Sequence, residues 1–240
     1  SRVYLFNKDF QKAEFIASEV IGSGDYMLAD SLDQVFLVGS EEAIWQLVPV
    51  QPGQNTWEAS VFVPPSEHIP SFSITDSLIS AFEADDQRLS TWTGSTTISN
   101  ETYYYPAKYK ARQGAEVTEY STILRLAELY LIRAEARARQ DKLAGPDGAT
   151  FDINAIRLRS GLDATDALTK EQLLAAIEQE RRVELFAEWG HRWFDLKRTA
   201  RASEILKPQK GENWQQTDLL YPIPTIEIDK NISLIQNAGY

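Results

Sequence analysis

Between Asp25 and Tyr120 the apolar residues keep no helical period, and six prolines interrupt the run: Pro49, Pro52, Pro64, Pro65, Pro70 and Pro106. Proline removes an amide donor and blocks continuation of a helix, so no long helix or central strand can cross this region. On both sides of it the helical period returns. The chain must therefore fold as helices that frame a long irregular insert, and a segment of that kind inside a folded chain usually carries function.

Ahead of the insert, Ala13, Ala17 and Val20 follow Phe10 at helical spacing, and Gly22 and Gly24 stop the run. Asn7-Lys8-Asp9 reads as a turn between this helix and a stump over Ser1 to Phe6. Together they match the second half of a tetratricopeptide-like helix pair. After the insert, Ile123, Ala127, Tyr130, Leu131, Ala134 and Ala138 share one helix face, with alanines that allow close packing. A break at Gly145-Pro146-Asp147-Gly148 precedes a helix over Asp152 to Leu158. Thr169 with Gln172 has the form of a capping box, opening a helix expected to run to Trp189 and stop at Gly190. Within the insert, strands are predicted at Val35–Val38, Trp92–Ile98 and Thr102–Tyr105, with a hairpin turn at Ser99-Asn100 and a short helix over Ser77 to Phe82. The fold class is mainly α: tetratricopeptide-like helix pairs with a long irregular insert containing short β-strands.

Composition excludes several function classes. The formal charge is −11 with no basic tract, which disfavours phosphate backbones and hence nucleic acid. There is no cysteine, and the two histidines, His68 and His191, stand far apart, so neither thiolate chemistry nor a common zinc or iron site is expected. No stretch approaches the roughly 20 apolar residues of a membrane span. No cofactor and no catalytic residue are predicted.

Four blocks in the second half are specific in combination. They are Ile123 to Ala136, Asn154 to Leu162, Glu180 to Arg198, and Leu220-Tyr221-Pro222-Ile223-Pro224 with Glu227, Asn231 and the ending Gln236-Asn237-Ala238-Gly239-Tyr240. Over 119–240, and again over Phe82 to Lys110, the chain resembles the SusD/RagB family of cell-surface lipoproteins. It departs from the family at Ile232 and Ala238, where proline is common. The resemblance implies one carboxy-terminal domain over 1–240, with 1–24 as the end of a helix pair, 25–120 as the ligand face, and 121–240 as a helical bundle and tail. It implies further that the chain is the later portion of a longer protein, whose lipid anchor lies outside these residues and supplies its only membrane association. The implied location is the outward face of the outer membrane, with this portion itself soluble. The implied role is non-catalytic capture of an oligo- or polysaccharide for uptake by a TonB-dependent, SusC-like transporter. Capture of a peptide or other nutrient, and a helical-repeat adaptor without a small ligand, are the alternatives.

Glu180, Arg181, Glu184 and Arg192 could be read as an acid/base cluster, but Glu and Arg alternating on a helix more often pair with each other. Arg157 and Arg159 are expected to satisfy carbonyls or carboxylates, His191 to be a hydrogen-bonded packing residue, and Trp189 and Trp193 to be buried. Sugars present apolar C–H faces and many hydroxyls, so aromatic platforms with amide or charged groups nearby suit them. The insert offers Trp45, Trp57, Trp92, Tyr103, Tyr104 and Tyr105, with Asn55 and Arg88, as ligand-binding candidates. Strand alternation places Tyr104 on the face opposite Tyr103 and Tyr105.

Overall fold

The computed structural model describes residues 1–51, 53, 55–112 and 116–240. The chain begins with α1 (Arg2–Phe6) and α2 (Phe10–Gly22), joined by the expected turn. Asp9 caps α2 by accepting the Lys12 amide at 3.2 Å. Regular structure in the insert comes in short pieces: β1 (Ala43–Leu47), α3 (Trp57–Phe62), α4 (Asp76–Ile79), α5 (Gln87–Trp92), β2 (Thr93–Ile98) and β3 (Glu101–Pro106). Then β4 (Ser121–Arg125) runs directly into α6 (Leu126–Arg139), followed by α7 (Ala149–Arg159) and α8 (Lys170–Glu184). All of these belong to one compact unit, Ser1–Trp189. A second unit, Gly190–Tyr240, contains α9 (His191–Arg198), α10 (Ala202–Lys210) and α11 (Thr225–Lys230), with Trp214, Leu196 and Ala202 as its own small core.

Most helices form where the spacing puts them, and the Thr169–Gln172 capping box is present in full. The differences lie in and beside the insert. Val35–Val38 is no strand: it follows a 3₁₀ turn at Leu32–Gln34, and Val35 and Phe36 are fully buried while Leu37 makes one isolated bridge to Glu119. A short apolar run buried on all sides has the composition of a strand without its pairing. Trp92 closes α5 instead of opening a strand, because Asp86 caps that helix through the Arg88 amide at 3.0 Å. The helix expected over Ser77 to Phe82 is the single turn α4, capped by Thr75. Antiparallel β2–β3 forms the predicted hairpin, and Ser99 and Asn100 both take positive φ, 52° and 65°. β1 pairs with β4, its partners standing 74 positions apart at Leu47 and Ser121 and 82 apart at Ala43 and Arg125.

The helix α6 is the centre of the larger unit. Its buried Ile132 and Ala136 pack on Leu5 and Ala13; Ala134 and Ala138 pack with Ala149, Ile153, Leu173 and Ile177; Ala127 and Leu131 pack with Ile156 and Leu185. Alanine at these positions lets three neighbouring helices approach closely, with little side-chain entropy to lose.

The insert is tied to this bundle by buried ion pairs. Glu184, at the end of α8, accepts from Arg88 at 2.9 Å, from Arg125 at 2.6 Å and from Arg159. Arg88 also binds Asp86 and Glu180; Arg125 also binds Glu42 and Glu188; Lys108 donates to Glu188 and, at 2.6 Å, to the Glu184 carbonyl. These residues are buried, so every charge depends on its partners. Burial alone would raise the Glu184 carboxyl, but Arg159, Arg125, Arg88 and Lys108 hold it well below the usual carboxylate range. Burial, with Arg125 nearby, pushes Lys108 down to about 8, against the pull of Glu188.

Glu184→Ala takes one carboxylate from three buried guanidinium groups, which keep only Asp86, Glu180, Glu42 and Glu188 between them, and is expected to cost about 3–5 kcal/mol in a denaturant titration. The pH dependence follows from the sign of the shift. The folded carboxyl titrates lower than the unfolded one, so its contribution is complete above about pH 4.3 and is lost as pH falls below that value. The melting temperature of the native chain should therefore drop steeply on acidification through this range. Glu184→Gln, melting lower from the start, should show a shallower slope.

Candidate functional site

Two clefts open on the insert, and Trp57 lines both. Thr56 caps α3 by accepting the Ala59 amide at 3.2 Å, and Ala59 is buried beneath the helix. Trp57, the first residue of α3, consequently projects outward and is 78% exposed. One cleft, of about 250 Å³, is walled by Trp57, Val61 and Phe62 on α3 and by Ala187 and Trp189 opposite, with Tyr109, Glu58 and Glu188 completing it. The other, of about 400 Å³, is formed by Leu47 to Gln51 together with Asn55, Thr56, Trp57, Ser60 and Ser121.

Trp189 is the residue that the sequence pattern misplaces. The helix expected to reach it stops at Glu184, and both Ala187 and Trp189 have positive φ, 56° and 40°. Such a conformation is an outlier for a bulky residue, and each instance costs on the order of 1–3 kcal/mol. The surroundings hold it in place. The Trp189 indole N–H donates to the Thr122 carbonyl at 2.7 Å, while Glu188 is fixed by Arg125 and Lys108. The consequence is an indole 47% exposed at the rim of a cleft, not a core residue. Thr122 fixes a second wall residue as well, since its amide donates to the Tyr109 hydroxyl at 2.9 Å. A helix-stopping Gly190 directly after an aromatic was the one signal in the sequence for this geometry.

The other candidates separate. Trp92 and Arg88 are not at the surface. Trp92 is 1% exposed, stacked edge-on to Phe36 at 5.6 Å, and its indole N–H donates to the Leu32 carbonyl at 3.0 Å. Its ring also shelters the Lys108 ammonium, 4.6 Å from the centroid. The Ser and Thr neighbours of Trp92 lie on α5 before it and on β2 after it, and the indole alone turns into the core, which is why its surroundings read as polar. Arg88 is fully buried, its guanidinium held by Asp86, Glu180 and Glu184. Asn55 is buried too. It lines the larger cleft, but its Oδ1 accepts the Thr118 and Glu119 amides at 2.9 and 3.1 Å, so it anchors the neighbouring chain.

Trp45 lies on β1 and is 53% exposed, although it lines neither cleft. The three tyrosines sit on the β2–β3 hairpin, and the expected alternation holds: Tyr104 is 39% exposed, Tyr103 and Tyr105 less so. Tyr103 donates to Glu101 at 2.6 Å. Tyr105 lies over its strand partner Gly94, where an added Cβ would stand 2.4 Å from the ring. None of the three lines the clefts beside Trp57.

Residues 80–240 match the model of the SusD family, and the chain belongs to that family. It is similar to the SusD-like protein P38 of Formosa agariphila, 34% identical over 127 residues that make up 49% of this chain and 24% of that protein. It is similar also to the starch-binding protein SusD of Bacteroides thetaiotaomicron, 35% identical over 126 residues, 49% of this chain and 21% of the relative. A SusD superfamily protein from Parabacteroides distasonis superposes with a TM-score of 0.81 at 22% identity, covering all of this chain and 61% of the other. The chain thus spans about three fifths of that solved structure, and the regions aligned to the curated relatives span less than a quarter of their length. No helix among the described residues is long and apolar enough to cross a membrane.

The burial of the two tryptophans predicts opposite outcomes. Trp92→Ala removes a fully buried ring and should cost about 3–5 kcal/mol. Trp57→Ala, at an exposed position, should stay within about 0.5 kcal/mol of the native chain. Thermal melts of both variants compare them directly.

Proposed function

We propose that this chain is the ligand-presenting part of a non-catalytic glycan-capture protein. It would act on the outward face of the outer membrane, beneath which a TonB-dependent, SusC-like transporter would take up the captured glycan. The observation that carries this reading is Trp57, an indole standing free between two clefts with a second half-exposed indole, Trp189, across one of them. A pyranose ring offers an apolar face of the size of an indole, and stacking there gives affinity while neighbouring hydroxyls and amides fix orientation. Membership of the SusD family supports the same reading, as does the likeness to a starch-binding protein. A solved structure described as a laminarin-binding SusD-like protein, 25% identical with a TM-score of 0.77, points the same way. An adaptor without a small ligand would bury its aromatics, whereas Trp45 and Trp57 are exposed.

Native affinity electrophoresis against a panel of soluble polysaccharides, run with this chain and with the longest protein that contains it, tests the proposal. At least one glycan should retard the native chain. Trp57→Ala should weaken that glycan about tenfold, equivalent to about 1.4 kcal/mol of stacking, without lowering the melting temperature. Unaltered retardation in that variant would remove Trp57 from the site, and passage through every glycan by the longer protein would overturn glycan capture.

A further inference from the structure

The smaller cleft carries more negative charge than a neutral sugar calls for. Two carboxylates line it, Glu58 and Glu188, and neither lysine nor arginine does. The two are satisfied differently. Glu188 is neutralised from behind by Arg125 and Lys108. Glu58 accepts the Ser121 hydroxyl at 2.7 Å through one oxygen, and among the described residues no cation pairs with it. Its charge is thus left uncompensated beside two indoles. The Tyr109 hydroxyl responds to this environment: burial, then Glu188 and more weakly Glu58, push its pKa up.

The aromatic walls act in the same sense. An indole presents the negative face of its quadrupole to whatever lies above it, which attracts a cation held against the ring. Trp57, Trp189 and Phe62 supply the aromatic rings that line the cleft. An anionic ring would be repelled by Glu58. A neutral ring would gain from stacking but nothing from the charge. A ring that bears an ammonium group gains from both, and the overall charge of −11 raises its local concentration.

We infer that the cleft between Trp57 and Trp189 takes an ammonium-bearing ligand, with Glu58 as its counter-charge. On the glycan reading above, on which this rests, that ligand is an amino sugar whose amine is not acylated. The lysine side chain of a peptide has the same chemistry, and the experiment separates the two sources.

Isothermal titration is run with four probes: a glucosamine tetramer, an N-acetylglucosamine tetramer, a neutral glucan tetramer and a tri-lysine peptide. The proteins are the native chain, Glu58→Gln, and Glu212→Gln, which removes an equal charge at an exposed position in the other unit. The glucosamine tetramer should bind about tenfold tighter than its acetylated counterpart, with the preference shrinking as salt screens it. Glu58→Gln should abolish the preference and leave neutral glucan unaffected, and Glu212→Gln should preserve it. Equal affinity for the free and acetylated tetramers overturns the ammonium site while glycan capture stands. Equal losses in Glu58→Gln and Glu212→Gln would trace the preference to bulk charge and overturn it also. Binding of the peptide alone, sensitive to Glu58→Gln, retains the ammonium site and overturns the glycan reading. Binding of no probe overturns the ammonium site, and glycan capture is then decided by the polysaccharide panel above.

Discussion

Three guanidinium groups converge on one carboxylate, Glu184, from parts of the chain that lie far apart in sequence: Arg88 on α5, Arg125 at the end of β4, and Arg159 at the end of α7. Each is buried, and none can be left without its partner at less than several kcal/mol. The insert has few long elements of its own, so this junction is what gives it a defined position against the helices. Carboxylates four residues apart on α8, Glu180 and Glu184, with Glu188 just beyond, present a line of acceptors to the insert. Lys108 and Arg125 complete the line where it meets the cleft.

That line also explains the geometry of the site. Glu188 is fixed from the core side, so the backbone on either side of it can be held in left-handed conformations that would otherwise relax. Trp189 is thereby turned outward. A charge network in the interior and an exposed indole at the surface are two ends of one structure. Disturbing Glu184 or Glu188 should accordingly affect the cleft as well as stability, whereas changes at Trp57 stay local to α3.

The helices were legible because their signals are local. Spacing of three and four, the Thr169 capping box and the stop at Gly22 and Gly24 all act within a few residues, and the alanines of α6 marked its packing face in advance. The pairing of glutamates with arginines was legible in kind, since such alternation on a helix has few other uses. The partners were not. Arg88 read as a surface group of the insert, and nothing within a few residues of it indicates Glu180 and Glu184, about ninety positions later.

Composition and local pattern were enough to make the chain mainly helical, broken by an irregular insert, acidic, free of thiols and furnished with aromatics in the region that carries the clefts. Which aromatics meet solvent was settled by long-range packing. Trp92 and Trp57 differ little in composition of surroundings, yet one closes a helix over the core and the other opens a helix on the surface. Exposure of a side chain depends on where its element docks, and docking here is set by β1–β4 pairing and buried ion pairs between residues far apart in the chain. The same long-range contacts brought Trp189 to the cleft, which no local pattern could place there.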